Sequence, residues 1–387
     1  MTHTKQIISA LLAFVLLLSL CACSGGGSST ADSSSAQVLS GNDNVEPQTS
    51  PAPQGDAIDQ MISKMSVEEK VGQMFYALCP SVGGGEFVAQ YHLGGCLLSG
   101  DFFDDKSADD VRATIRDIQS RTLVPLLFGV DEEGGTVVRV SYHQQLRESA
   151  FDSPKNYYQN GGWEAVEAAE TEKAELLTSL GINVNNAPVC DITSNTESFI
   201  YDRSFSGDVD EVNTFVKKVV DIYKSKKLGT VLKHFPGYGD NTDTHEDMSY
   251  DARSLDEFRA SDFIPFTEGI NEGADCVMVA HNIMADVDEE YPASLSAKVH
   301  DIIRNELNFD GVIMTDDIAM QAIAKYAGDE ASAVTAVKAG NDMICCSEAE
   351  TQYPAVVQAV QNGEISEEQI NASVKRILTW KKNLGLF

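Results

Sequence analysis

The sequence predicts an α/β protein folded as a (β/α)8 TIM-type barrel in a single domain, and three observations carry that prediction. From about residue 57 onward, eight short and nearly continuous apolar runs recur along the chain. Longer segments of helical periodicity separate them, the pattern of a parallel sheet covered on both faces. Ionisable or backbone-breaking residues stand at the C-terminal ends of several runs, and that is the edge on which barrel enzymes assemble their sites. By pattern alone, a doubly wound open sheet is the second possibility.

Residues 1–22 read as a lipoprotein signal peptide. Lys5 precedes an apolar run of 14 residues, Ile7 to Leu20, shorter than the ~20 residues a membrane-spanning helix needs. The following "LCAC", Leu20 to Cys23, resembles a bacterial lipobox in which Cys23 carries the lipid. An ordinary signal peptide or an uncleaved anchor is the alternative. Residues 23–56 are rich in Ser, Gly, Asn, Asp and Pro and read as a flexible tether. Together they predict an exported domain, residues 57–387, lipid-anchored at Cys23 to the outer face of the cell membrane.

Within that domain the strand-like runs are "GQMFYALC", "GGCLLSG", "VPLLFGVD", "INVNNAPVCD", "GTVLKHF", "DCVMVAHN", "FDGVIMTDD" and "GNDMICCS". Helical periodicity marks Ser107 to Arg121, Trp163 to Leu180, Asp210 to Lys227, Leu255 to Glu272, Ser296 to Leu307 and Ala331 to Ala339. The closing stretch places Ile370, Val374, Ile377, Leu378 and Leu384 near helical spacing and predicts a terminal packing helix.

The chain has 387 residues, and 59 Asp and Glu against 28 Lys and Arg give a net charge of −31. Such a surface repels nucleic-acid phosphates and anionic headgroups, so no nucleic-acid partner is expected and any membrane contact is through the lipid. Cys79, Cys96, Cys190, Cys276, Cys345 and Cys346 lie in or beside apolar runs without C-x-x-C spacing. Buried free thiols are expected there, not a zinc site or a disulfide framework.

Polar chemistry gathers at four strand ends: Asp131, Lys233 with His234, His281, and Asp316 with Asp317. Asp317 reads as a helix cap, and His281 as either a hydrogen-bonded core residue or a sugar ligand. Arg139, eight positions past Asp131, can return to the same pocket. After the fifth run comes "KHFPGYGDNTDTH", Lys233 to His245, in which Pro236, Gly237 and Gly239 prevent a helix. Asp243 and His245 are two apart, so in extended backbone the carboxylate can hydrogen-bond the imidazole and tune it as a general acid/base. A metal held by His234, Asp240, Asp243 and His245 is the competing reading.

That loop resembles the K-H-F-P-G-H-G-D-T-x-x-D-[ST]-H motif of family 3 glycoside hydrolases of the β-N-acetylglucosaminidase type. "GVDEEGGTVVR", "RSFS" at Arg203 to Ser206, "GVIMTDDIAM" and "SVEEKVGQMF" resemble further motifs of that family in the family's order. The resemblance implies Asp316 as nucleophile and His245 as general acid/base oriented by Asp243. It implies Asp131, Arg139, Arg203, Lys233 and His234 as sugar-binding residues, with no metal or organic cofactor. Tyr238, Asn241 and Glu132 depart from the commoner His, Thr and Gln, and Glu132 adds a possible negative charge. Relatives that cleave β-glucosides usually carry a further sandwich domain, which this chain is expected to lack.

The expected protein is therefore a monomeric, single-catalytic-domain retaining exo-β-N-acetylglucosaminidase acting on β-linked GlcNAc, plausibly in peptidoglycan fragments. Phosphorolysis or β-glucosidase activity on the same fold is the alternative within that chemistry. A sugar-binding lipoprotein of a transporter is the alternative outside it.

Overall fold

The computed structural model describes residues 57–241, 249–320, 323, 326 and 332–387. The predicted signal peptide, Cys23 and tether lie outside the described residues, as do Asp243 and His245.

Ten strands occur in chain order: β1 (Phe75–Leu78), β2 (Gly95–Leu97), β3 (Leu127–Val130), β4 (Val184–Asn185), β5 (Gly229–Phe235), β6 (Tyr250–Asp251), β7 (Cys276–Val279), β8 (Ile283–Met284), β9 (Val312–Thr315) and β10 (Ile344–Cys346). Eight of them form one parallel sheet in the order β10-β1-β2-β3-β4-β5-β7-β9. The ends of that sheet meet at a Met314–Met343 bridge, where Met343 N–H donates to the Ile313 carbonyl at 3.1 Å. The result is a (β/α)8 barrel, and each of its strands falls inside one of the eight predicted apolar runs. β6 and β8 pair with each other as a separate parallel ribbon.

The helices are α1 (Ala57–Ile62), α2 (Val67–Gln73), α3 (Gly84–Gln90), α4 (Ala108–Gln119), α5 (Pro154–Leu180), α6 (Val209–Ser225), α7 (Leu255–Ala260), α8 (Phe263–Glu272), α9 (Ala297–Asp301), α10 (Ser332–Ala339), α11 (Ala349–Gln361) and α12 (Glu367–Asn383). Capping boxes start α2 at Ser66 and α4 at Ser107, each satisfying two otherwise unpaired N–H groups. The helix expected over Leu255 to Glu272 is divided, because Ser254 and Glu257 box one start and the chain begins a second helix after Asp262. Among the described residues no helix is long and apolar enough to cross a membrane.

Inside the barrel Tyr76 reaches across to Asn186, its hydroxyl donating to Oδ1 at 3.3 Å. That crossing requires a glycine at position 129, where a Cβ would lie 1.6 Å from the Tyr76 hydroxyl. All six cysteines named above are free and buried, as their sequence surroundings predict.

At the N-terminal end of the barrel, buried Asp342 accepts from Ser373 Oγ at 2.9 Å, Arg376 at 3.0 Å and Ile313 N–H at 2.9 Å, and it also pairs with Arg304. These contacts tie β9, α12 and the segment after α9 to the start of β10. Nearby, Lys381 is fully buried, with its ammonium donating to Gln73 Oε1 at 2.7 Å. Gln73 in turn donates to the His92 carbonyl at 2.9 Å. Burial pushes the Lys381 ammonium down to about 7, because a charge in this apolar layer loses its hydration.

The unfolded chain keeps this proton up to about pH 10.4, whereas the folded chain releases it near neutrality. The penalty on folding is therefore largest at and below neutral pH and fades as pH rises. Lys381→Met is expected to stabilise the fold at neutral pH by about 1–3 kcal/mol in urea unfolding. The gap to wild type should then close toward pH ~10. A variant that is less stable at neutral pH, or a gap that stays constant, contradicts this account.

Candidate active site

The C-terminal ends of β3, β4 and β5 bring together a buried chain of charges. Lys233, near the end of β5, places Nζ 2.7 Å from Asp131 Oδ1 and 2.7 Å from Glu133 Oε1. Arg203, on the segment after β4, grips the same Glu133 in bidentate fashion, with Nε to Oε2 at 2.9 Å and Nη2 to Oε1 at 2.8 Å. Burial pushes the Glu133 carboxyl up, but Arg203 and Lys233 outweigh it and hold that carboxyl well below the usual range. Burial likewise lowers Lys233, and the Asp131 and Glu133 carboxylates more than reverse it. Each buried charge is paired, which is the condition for keeping it charged out of water.

His234 continues the chain. Its Nε2 lies 3.0 Å from Arg203 Nη2, and its Nδ1 lies 2.7 Å from Asp191 Oδ2. A guanidinium can only donate, so Nε2 accepts and the ring proton sits on Nδ1, facing Asp191. Asp191 also accepts the His234 and Tyr238 N–H groups at 3.2 and 2.8 Å. One fully buried carboxylate thus fixes the ring's tautomer, its orientation and the start of the following loop.

Asp316 ends β9, half-buried at the mouth. Its N–H donates to the Val279 carbonyl at 2.9 Å, and its Oδ1 accepts from Asp317 N–H at 2.8 Å. Burial raises the Cys345 thiol, and the carboxylates of Asp317, Asp316 and Asp131 raise it further. Because β3 and β9 run parallel in one sheet, Asp131 and Asp316 both stand at its C-terminal end. His281 is fully buried, with Nδ1 2.7 Å from Ser294 Oγ and Nε2 3.0 Å from the Asp317 carbonyl. It braces the backbone beside Asp316. Asp317 accepts from Ala319 N–H at 3.0 Å in the turn after β9 and from Ser347 N–H at 3.1 Å, and the helix it is expected to cap lies largely outside the described residues.

The loop after β5 is fastened at both feet. Arg253 donates to the Gly237 carbonyl at 3.1 Å, to Asp251 Oδ2 at 2.6 Å and to Asp262 Oδ2 at 2.8 Å. Asn241 reaches Asp251 as well, and donates to the Tyr238 carbonyl at 2.9 Å. Gly237 adopts φ 110° against Asp262, where a Cβ would lie 2.3 Å from Oδ1. Tyr238, which stands in place of the commoner histidine, is buried edge-on against Phe199 at 4.9 Å. Of the residues considered for a metal, His234 is engaged at both nitrogens and Asp240 accepts from Thr193 at 2.6 Å. The other two, Asp243 and His245, are outside the described residues.

The sequence suggested Glu132 as the added acidic residue, and the structure places Glu133 in the cluster instead. Glu132 brings no charge to the pocket. It is fully buried and accepts from the N–H groups of Arg139, Val140 and Ser141 at 2.7, 2.7 and 3.2 Å, folding the loop after β3. Glu133 carries the charge instead, because two glycines after it turn the chain and leave it facing the strand ends. Arg139 is half-buried and donates to the Val138 carbonyl at 3.2 Å. Among the described residues it makes no ion pair, so Arg203 supplies the guanidinium of the cluster. Asp191 and Glu133 were missed by the sequence reading. The available signal was positional, since Asp191 closes the fourth apolar run as Asp131 closes the third.

Comparison with known proteins follows the same lines. Residues 66–380 match the family model described as the glycosyl hydrolase family 3 N-terminal domain. A β-hexosaminidase from Stenotrophomonas maltophilia is 35% identical over 303 residues, covering 76% of this chain and 83% of the relative. One from Methylococcus capsulatus is 32% identical over 285 residues, covering 72% and 82%. Among solved structures, a family 3 β-N-acetylglucosaminidase from a Paenibacillus species superposes with a TM-score of 0.78 at 30% identity. That alignment covers 83% of this chain and 63% of the Paenibacillus chain.

The charge cluster makes a direct prediction. Glu133→Gln is expected to cost about 3 kcal/mol at neutral pH, because it takes from Arg203 its carboxylate partner and leaves Lys233 with Asp131 alone. The Glu133 carboxyl is held low in the folded state, so its contribution is present above the unfolded value of about 4.3 and disappears as pH falls below it. Urea unfolding of both proteins across that range checks this. A variant as stable as wild type at neutral pH contradicts it.

Proposed function

Because the chain belongs to glycosyl hydrolase family 3, a family of glycoside hydrolases, we propose that it is a retaining exo-β-N-acetylglucosaminidase acting on non-reducing GlcNAc in peptidoglycan-type fragments. The observation that supports the reading is that Asp316, directly after β9, stands at the same end of one parallel barrel as the cluster of Asp131, Lys233, His234 and Arg203. A carboxylate at a strand end and fixed charged donors at the same mouth are what attack on, and grip of, a polyhydroxylated ring require.

In this mechanism Asp316 attacks the anomeric carbon while His245, oriented by Asp243, gives its proton to the departing glycosidic oxygen. The carbon–oxygen bond breaks and a covalent glycosyl-enzyme forms. His245 then takes a proton from water, which displaces Asp316, and two inversions restore the original configuration. Asp131, Lys233, His234 and Arg203 hold the sugar's hydroxyls, and Arg139 completes the set if the loop after β3 turns it inward. His281 acts through its hold on the backbone at Asp317. The same reading takes the domain to be exported, anchored through a lipid on Cys23 by the tether, and active as a monomer.

Hydrolysis of an aryl β-GlcNAc glycoside by the purified protein tests the reading, and Asp316→Asn is expected to lower kcat by at least about 10³-fold. An inactive wild type, or an Asn variant that turns over as fast, overturns it. His245→Ala is expected to lose about 10²–10⁴-fold on a natural disaccharide but much less on an activated aryl glycoside, whose leaving group needs little protonation. Equal losses on the two substrates would remove His245 from the acid role.

A further inference from the structure

Among the described residues, six large apolar side chains stand exposed: Val82, Leu123, Tyr142, Tyr250, Tyr291 and Phe387. Four of these, Val82, Tyr142, Tyr250 and Tyr291, lie on segments that follow the C-terminal ends of barrel strands, so apolar exposure is concentrated at the mouth. Tyr250 is the one whose backbone is held on both sides. It pairs with Ile283 in the β6–β8 ribbon. Next to it, the Ser249 carbonyl accepts from Ile283 N–H at 2.7 Å and the Asp251 carbonyl from Ala285 N–H at 3.0 Å. The Asp251 side chain is buried on Arg253, while the Tyr250 ring is 60% exposed.

The ring is also placed. Its hydroxyl lies 3.4 Å from that of Tyr326, on the segment that follows Asp316. The other ribbon strand, β8, begins two residues after His281, which hydrogen-bonds the Asp317 carbonyl. A rigid aromatic face with few rotatable bonds, left open at the rim of a sugar site, suits the apolar C–H face of a pyranose.

We propose that the exposed face of Tyr250, braced by Tyr326, is a stacking platform for the ring of the departing sugar. The preferred substrate is then a glycan whose leaving group is itself a pyranose, not a small alcohol. The proposal rests on the glycosidase reading above.

The test compares a β-linked GlcNAc disaccharide with methyl β-GlcNAc, both having alcohol leaving groups that need acid assistance. Tyr250→Ala is expected to raise KM for the disaccharide about tenfold, the scale of one aromatic contact, and to leave kcat/KM for the methyl glycoside unchanged. Tyr250→Phe, which keeps the ring and drops the hydroxyl contact to Tyr326, should lose less than Ala on the disaccharide and nothing on the methyl glycoside. Equal losses on the two substrates with Ala, no loss on the disaccharide, or a Phe variant as impaired as Ala would overturn the platform while leaving the glycosidase reading intact. A wild type that cleaves neither glycoside overturns the glycosidase reading and the platform with it.

Discussion

The carboxylate of Glu133 accepts from Lys233 on one oxygen and from Arg203 on both, and so joins elements that enter the barrel mouth from three different strands. Lys233 extends the tie to Asp131, and Arg203 extends it to His234 and Asp191. A buried ammonium or guanidinium without a partner would cost several kcal/mol of lost hydration, more than any one packing contact at the mouth returns. The cations therefore stay where the carboxylates are, and the carboxylates stay where the strand ends and the loop fold put them. Glu132 fixes that fold by collecting three backbone N–H groups, and Asp191 fixes the next loop by collecting two.

The two ends of the barrel use charge differently. At the N-terminal end Asp342 gathers Arg304, Arg376 and Ser373 into a closed knot that seals helices against strands. At the C-terminal end the pairs share members, so that Lys233 and Arg203 compete for one carboxylate. A shared pair can give up part of its bonding to an incoming hydroxyl at lower cost than a closed knot can, since every charge keeps a partner. This division agrees with the tendency of barrels to carry stability on one face and chemistry on the other.

Much of this could be read in the sequence, for identifiable reasons. Each buried barrel strand lies in a nearly continuous apolar run, so all eight were visible. Asp131, Lys233, His234 and Asp316 end their runs and were visible with them. The split between α7 and α8 was hidden because Ser254, Glu257 and Asp262 sit within one helical periodicity. The helix α11 was hidden by its internal Pro354. Glu132 and Glu133 are adjacent and identical in type, and only the turn made by Gly134 and Gly135 decides which of them faces the strand ends. Arg139 and Arg203 posed the same difficulty, since a guanidinium's reach depends on loop paths that no period records. Asp243 and His245 are outside the described residues, and their part rests on the motif.

One guanidinium, that of Arg253, holds Gly237 at one foot of the loop after β5 and Asp251 at the other, with Asp262 of the neighbouring helix start as its base. Both ends of that loop are therefore set by residues on either side of 242–248. In evolutionary terms Arg253 is a frame: a lineage that keeps it with Gly237, Asp251 and Asp262 keeps the points at which the loop leaves and rejoins the barrel.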